Sequence, residues 1–239
     1  MPDEVIVFDV WGRYAHFKKI YVTTSALTYS VPFKTSVYGL VGAILGLDNR
    51  GNVYLDHFQE GTCEIGIQVI NPIRIQRINT NLSPQPGPIK DNRKPTMMEY
   101  VTDPHYRIFF RHRDQSLFEE LNERLKRKFC VYTPVLGLAN CLANFQWKGL
   151  GKLTEKKGDA LLHTVIPKDQ MEGFDQQYWL DNEVRLQEQD MYPLEMNKDR
   201  EVTKRGSILF DLNGKPVKGI STGHYRLDWN DQKLDIQLM

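Results

Sequence analysis

The apolar positions in the first half of the chain switch between the spacing of strands and the spacing of a helix. Residues 4–11 are apolar on both faces, which is typical of a central, fully buried strand. Between 37 and 45 the apolar residues recur at i, i+3, i+4, i+7 and i+8 and predict a helix with one apolar stripe. Thr35 or Ser36 is placed to cap that helix.

The same reading predicts two further strands, a second helix and a fourth strand. The strands cover 63–69 and 106–113, the helix starts with a capping-box spacing from Ser116 to Glu119, and the last strand lies near 143–147. The order β-α-β-β-α-β is that of the ferredoxin-like split unit, which the RNA-recognition motif (RRM) shares. The sequence therefore predicts an α+β protein with this unit.

A segment rich in proline and glycine, 79–96, separates the second and third predicted strands. Proline cannot donate to a sheet ladder, so we interpret the segment as a loop or an extended hairpin tip outside the core sheet. The inserted part as a whole covers about 75–100.

Beyond about residue 150 the pattern changes to strands. Residues 207–212, the turn at Asn213-Gly214 and the stretch from Val217 onward predict a hairpin. We therefore expect two units, an RRM-like domain over 1–150 and a β-rich appendage over 151–239.

Composition narrows the class of protein. The 239 residues are 41% hydrophobic, without a stretch that approaches the roughly 18 unbroken apolar residues of a membrane span. The acidic start Met1-Pro2-Asp3-Glu4 is unlike a signal peptide, so we expect a soluble intracellular protein. Three cysteines without a C-x-x-C pair predict buried thiols, and six histidines without metal spacing predict neither metal nor cofactor.

The net charge of +1 hides an uneven distribution. Residues 10–113 hold 13 Lys/Arg and 7 Asp/Glu, whereas 164–201 hold 4 and 10. The front half could meet phosphate, and the later segment could face a basic partner protein. Ordinary solvated surface explains both equally well.

Two stretches have the residue types that RNA binding requires. Residues 12–34, here called the basic loop, combine cations, aromatic rings and hydroxyls without one acidic residue, which suits phosphate contacts. The strand at 106–113 turns Arg107, Phe109, Arg111 and Arg113 to one face, where a ring could stack a base and arginines could hold phosphate. The alternative for that strand is a half-buried face whose arginines reach solvent.

One histidine, His112, lies between two arginines and is the candidate for a metal-independent ribonuclease. A histidine that only contacts phosphate or water is the alternative, and we favour it.

Two motifs resemble those of a known family. Phe8-Asp9-Val10-Trp11-Gly12-Arg13-Tyr14-Ala15-His16-Phe17, and Thr28-Tyr29-Ser30-Val31-Pro32-Phe33-Lys34-Thr35 with the glycine-bearing helix after it, resemble the CRISPR Cas-five family of the RAMP class, and its type I-B branch in particular. The resemblance is specific over about residues 5–47.

The resemblance implies a non-catalytic subunit of a type I Cascade complex in a prokaryotic cytoplasm. Such a subunit holds the 5′ handle of the CRISPR guide RNA (crRNA) for antiviral defence. It caps the backbone filament of the complex, where it contacts the backbone and large subunits. It meets target DNA only indirectly. The insertion corresponds to the family's hairpin thumb. A ribonuclease branch, type I-C, has a tyrosine–lysine–histidine site, but this chain has Ile44-Leu45-Gly46-Leu47 and His112-Arg113-Asp114-Gln115 at the corresponding positions.

Together these arguments define a set of predicted RNA contacts. They are Arg13, Tyr14, Lys18, Lys19, Tyr21, Lys34, Thr35, Arg74, Arg77, Arg107, Phe109, Arg111 and Arg113, with Lys90, Arg93 and Lys94 on the thumb.

Overall fold

The structure, a computed structural model, describes residues 1–19, 26–82 and 94–239. Within these ranges the strands are Glu4–Gly12 (β1), Tyr14–Ala15 (β2), Phe17–Lys18 (β3), Thr28–Tyr29 (β4), Cys63–Val69 (β5), Arg74–Leu82 (β6), Lys94–Thr102 (β7), His105–His112 (β8), Ala143–Leu162 (β9), Ile166–Pro167 (β10), Met171–Phe174 (β11), Leu186–Met196 (β12), Val202–Asp211 (β13), Val217–Trp229 (β14) and Gln232–Ile236 (β15). The α-helices are Lys34–Leu45 (α1), Gln115–Lys126 (α2) and Gln176–Asp181 (α3). None of the helices in these ranges has the length and apolar character needed to cross a membrane.

Seven strands form one sheet in the order β11-β14-β15-β9-β1-β8-β5. Strand β1 pairs antiparallel with β8 on one side and with β9 on the other, and it is buried from Val5 to Val10. The prediction of a central buried first strand is therefore confirmed, as is the mixed α+β class. Strand β5 begins and ends at the predicted residues, and α1 and α2 lie where the periodicity placed them.

The caps of both helices differ from the prediction. Helix α1 begins at Lys34, and its N-cap Phe33 makes no side-chain hydrogen bond, so neither Thr35 nor Ser36 caps it. In α2 the cap is Asp114, whose carboxylate accepts from the backbone N–H groups of Ser116 and Leu117 at 2.9 and 3.3 Å. A carboxylate at the N-cap also interacts favourably with the positive end of the helix dipole. This explains why Asp114, and not the predicted Ser116, caps the helix.

Strands β6 and β7 form a hairpin that pairs with β2 in a small sheet of its own. The prediction that this insertion stays outside the core sheet agrees with the described arms, 74–82 and 94–102. The tip between them lies outside the described residues.

The twenty-residue strand β9 runs through the predicted boundary at residue 150. Its first half pairs with β1 as far as Lys152, and its second half pairs with β14 from Lys152 to Leu162. The C-terminal strands thus extend the sheet of the N-terminal part.

The predicted hairpin, in which 207–212 pairs with the stretch from Val217 onward, is wrong. Strand β13 pairs with β10 and β12, whereas β14 pairs with β9, β11 and β15 in the large sheet. In the connection the Asp211 carboxylate accepts from the backbone N–H groups of Asn213 and Lys215 at 2.7 and 3.0 Å. After this turn the chain pairs with β9 from Val217, which lies opposite Leu162, and not with β13.

The large sheet buries apolar residues on both faces. One core includes Ile6, Phe8 and the apolar stripes of α1 and α2. The opposite face carries a second core formed by Val5, Val7, Phe109, Leu153, Leu227, Trp229, Ile236 and Leu238. This second core joins side chains of β1 and β8 to side chains of β9, β14 and β15 and to Leu238.

Candidate nucleic-acid interface

The described part of the basic loop is held against the hairpin by short pairings. Strand β2 pairs with β7 through Tyr14 and Thr102, and Thr102 also pairs with Arg74 on β6. Residues opposite one another in a sheet share a face, so Arg74 and Tyr14 lie in one row across three strands. The neighbouring Arg13 is exposed, and its carbonyl accepts from the Asp103 N–H at 3.0 Å.

Four exposed cations therefore lie on the loop and the hairpin. We call Arg13, Lys18, Arg74 and Arg77 the basic surface. Strand β6 contains no acidic residue, and on β7 the only one is Glu99. Because Arg74 and Arg77 are three residues apart on β6, their side chains lie on opposite faces of the hairpin, so the basic surface consists of exposed cations around an ordered backbone.

Glu99 is occupied by contacts within the protein. Its carboxylate accepts from the Arg77 Nε at 3.2 Å and from the Thr28 N–H at 3.3 Å, and its side chain is 12% exposed. Its carbonyl accepts from the Nδ1 of His16 at 2.7 Å. Glu99 thus ties the basic loop to the hairpin and presents little negative charge to a ligand.

Lys34 and Thr35 do not belong to this surface. The Nζ of Lys34 lies 2.6 Å from Glu195 on β12 and 6.0 Å from the centre of the Tyr38 ring, and the Lys34 side chain is only 5% exposed. Thr35 is buried as well. The acidic segment at 164–201 therefore meets a cation of the same chain here.

Lys19 is partly buried, with its Nζ 5.5 Å from the centre of the Tyr29 ring. The predicted contacts Tyr21, Lys90 and Arg93, and the side chain of Lys94, lie outside the described residues.

The predicted RNA-binding face of β8 is covered. Phe109 is fully buried in the second core, where Trp229 and Leu227 pack, so its ring has no surface on which a base could stack. Arg113 is the one member of this face that stays exposed.

Arg107 is committed to an ion pair with a buried carboxylate. Its Nε and Nη2 donate to the two oxygens of Asp9 at 2.7 and 3.1 Å, and its guanidinium lies 4.9 Å from the centre of the Trp229 ring. Burial raises the pKa of the Asp9 carboxyl, but the hydrogen bond and charge of Arg107, with His105 and Lys148, outweigh burial and hold that pKa below its usual value.

Arg111 is also fully engaged by the protein. It donates to the Pro2 and Met1 carbonyls at 2.6 and 3.2 Å and to Glu64 at 2.9 Å, and its guanidinium lies 5.1 Å from the centre of the Tyr225 ring. Neither Arg107 nor Arg111 is therefore left open for phosphate.

His112 is a buried residue that organises the start of α2. Its Nε2 donates to the His57 carbonyl at 2.7 Å, and its Nδ1 accepts from the N–H of the helix cap Asp114 at 3.0 Å. Its ring stacks on Phe110 with centroids 5.9 Å apart and is 2% exposed as a residue. Both ring nitrogens are thus used within the fold.

The cysteines have no bonded partner, and burial raises the pKa of the Cys63 thiol. In the described ranges, no three or more His, Cys, Asp or Glu side chains come together in a way that could hold a metal ion.

One exposed segment was missed by the sequence reading. Phe129, Val131 and Tyr132 follow α2 and are each about half exposed. The available signal was the basic run Lys126-Arg127-Lys128 directly before Phe129, with Tyr132 three residues further on.

Comparison with known proteins shows the family of the chain. The fold is that of CRISPR-associated proteins: it aligns with a CRISPR protein from Archaeoglobus fulgidus at a TM-score of 0.57 and 12% identity, covering 97% of this chain and 98% of the other. A second structure, described as a Cas protein, aligns at a TM-score of 0.50 and 15% identity over 88% and 95% of the two chains. The family model for CRISPR-associated protein (Cas_Cas5) matches residues 5–210, so the chain belongs to that family. No match was found among curated protein sequences.

Proposed function

We propose that this chain is a non-catalytic RNA-binding subunit of a type I CRISPR Cascade complex, in which it holds the 5′ handle of crRNA. The observation that carries the proposal is the basic surface, four exposed cations held between the basic loop and the β6–β7 hairpin. Of the two acids beside it, Glu99 is already paired with Arg77, and Asp103 adjoins Arg13. Exposed Lys/Arg groups on a fixed backbone are what phosphate contacts use.

The strand order supports the RRM-like part of the proposal. Strands β9, β1, β8 and β5 are neighbours in that order and all antiparallel, and α1 and α2 follow β1 and β8 along the chain. We propose that they form the ferredoxin-like unit of the RAMP class, with the β6–β7 hairpin as its thumb. The backbone and large Cascade subunits are the proposed protein partners, the type I-B branch is the proposed subtype, and the prokaryotic cytoplasm is the proposed location.

The test measures how RNA affinity depends on salt. Changing Arg13, Lys18, Arg74 and Arg77 together to Gln removes up to four phosphate contacts. Because each contact with a single strand contributes about 0.7 to the slope of log K against log salt, the slope should flatten by up to about 3. We expect affinity for a repeat-derived RNA to fall at least about tenfold at moderate salt.

A matched control changes four exposed cations far from this surface in the chain, Lys152, Lys198, Arg205 and Lys233, to Gln. An equal loss in that control would mean that binding follows net charge and not this surface. An unchanged slope in the first variant would contradict the proposal.

The ribonuclease alternative can be examined at His112. The contacts of both ring nitrogens favour a structural role. We expect His112→Ala to lower the free energy of unfolding by about 2 kcal/mol, since it leaves the His57 carbonyl and the Asp114 N–H without their partner. His112→Gln should recover part of that loss.

Incubation of the wild-type chain with repeat RNA in EDTA should leave the RNA intact. Cleavage at one phosphodiester that disappears in a folded His112→Gln variant would establish the enzyme instead.

A further inference from the structure

The segment that follows α2 exposes aromatic side chains on an ordered backbone. Phe129, Val131 and Tyr132 are 55%, 45% and 53% exposed. Adjacent exposed apolar groups of this size are typical of binding surfaces.

Hydrogen bonds fix this segment against the end of α1. The N–H of Phe129 donates to the Arg124 carbonyl at 3.0 Å, and the N–H of Tyr132 donates to the Ala43 carbonyl at 3.0 Å. The N–H of Val131 reaches the Ile44 carbonyl at 3.4 Å. Because the backbone is already ordered, little conformational entropy is lost when a ligand binds to it.

Val131 and the two rings have different roles. Gly46 ends α1 in the left-handed conformation, with φ of 68°, and a Cβ there would lie 2.7 Å from Val131 Cγ2. Val131 is thus seated on the end of the helix. The Phe129 ring has the Arg124 guanidinium 5.7 Å from its centre and still keeps more than half of its exposure. The accessible part of the patch is therefore mainly aromatic.

The charge beside the rings is predominantly positive. Lys126 pairs with Glu123 at 2.8 Å, but Arg127 and Lys128 are exposed and make no ion pair with any described residue. Lysine is depleted from the centres of protein–protein interfaces, whereas cations that alternate with aromatic rings are the features of single-strand binding. Charge complementarity thus favours a polyanion over an apolar protein surface.

We infer that Phe129 and Tyr132 form a base-stacking platform for single-stranded RNA, with Arg127 and Lys128 on its phosphates. This inference rests on the proposed RNA-binding function and adds a second site to it. The platform continues toward the basic surface: two residues after Tyr132, the Pro134 carbonyl accepts from the Ala143 N–H at 2.9 Å, and Ala143 pairs with Gly12, beside Arg13.

The experiment measures fluorescence anisotropy of the full chain with a labelled oligouridylate of about 12 nucleotides. Phe129→Leu with Tyr132→Leu keeps apolar area but removes the planar rings, so affinity should fall about tenfold or more. Phe129→Trp with Tyr132→Trp should retain wild-type affinity. Leu180→Ala, at a side chain that is 75% exposed elsewhere, is the matched control and should change nothing.

A second pair of changes tests the cations. Arg127→Gln with Lys128→Asn should flatten the salt slope by about 1.4, which corresponds to two phosphate contacts on a single strand. Asn suits position 128 because Lys128 has φ of 57°, a left-handed conformation that Asn tolerates.

The outcomes separate this inference from the proposed function. If the leucine pair binds RNA like wild type while the Arg13, Lys18, Arg74 and Arg77 variant does not, the platform is wrong and the function stands. If the leucine pair keeps RNA affinity but no longer joins the assembled complex, the patch is a protein interface and the inference is overturned. A wild-type chain that binds no oligonucleotide would overturn both.

Discussion

Phe109→Ala should lower the free energy of unfolding by about 3–5 kcal/mol, the range for truncating a buried phenylalanine. The ring is fully buried in the second core, in one cluster with Leu227 and Trp229 of β14, and its removal leaves a cavity among these side chains. Urea or thermal unfolding would measure the change.

Phe129→Ala makes the same chemical change at a ring that is 55% exposed, and it should alter stability by less than about 1 kcal/mol. In RNA binding the order should be reversed. Phe129→Ala should weaken RNA affinity, and Phe109→Ala should leave it unchanged in the folded protein. If Phe109→Ala left stability intact and weakened RNA affinity, the face of β8 would be open and the C-terminal strands would not cover it.

Lys34→Ala should destabilise the protein by about 3 kcal/mol or more, because it leaves the Glu195 carboxylate largely buried without its cation. The two side chains are 5% and 14% exposed, and their charged atoms are 2.6 Å apart. Replacing both residues by Met removes the two charges together, so the double variant should be much closer to wild type than Lys34→Ala.

Lys18→Ala serves as the control for Lys34, since Lys18 belongs to the same basic loop but is exposed. It should leave stability unchanged and weaken RNA binding slightly. Equal stability of the Lys34→Ala and Lys18→Ala variants would mean that the contact between α1 and β12 contributes nothing.

The elements around the central sheet could be predicted from sequence because their patterns are local. The two-sided apolar run of β1, the alternation in β5 and β8, and the stripes of α1 and α2 each depend on neighbours within one element. The family could also be predicted, since its motifs are contiguous residues of the first 47 positions.

The candidate site was only partly predictable. Arg13 and Lys18 of the acid-free loop and Arg74 and Arg77 of the hairpin are exposed, so they stay predicted RNA contacts. Lys34 belongs to the same acid-free stretch as Lys18, but its side chain lies against a strand that comes about 160 residues later. Nothing within the loop distinguishes an exposed lysine from one that a distant carboxylate will cover.

The sequence by itself determined the order of elements, the buried first strand and the acid-free loop, because periodicity and composition act over a few neighbouring residues. Only the tertiary structure decided what lies on the outer face of β8. The alternation of arginine and phenylalanine from 107 to 113 suits an open RNA-binding face and a covered one equally well. The choice was made by β14 and β15, which lie more than 100 residues away along the chain and share one buried cluster with Phe109. Asp9 and Glu64 neutralise the arginines beside it.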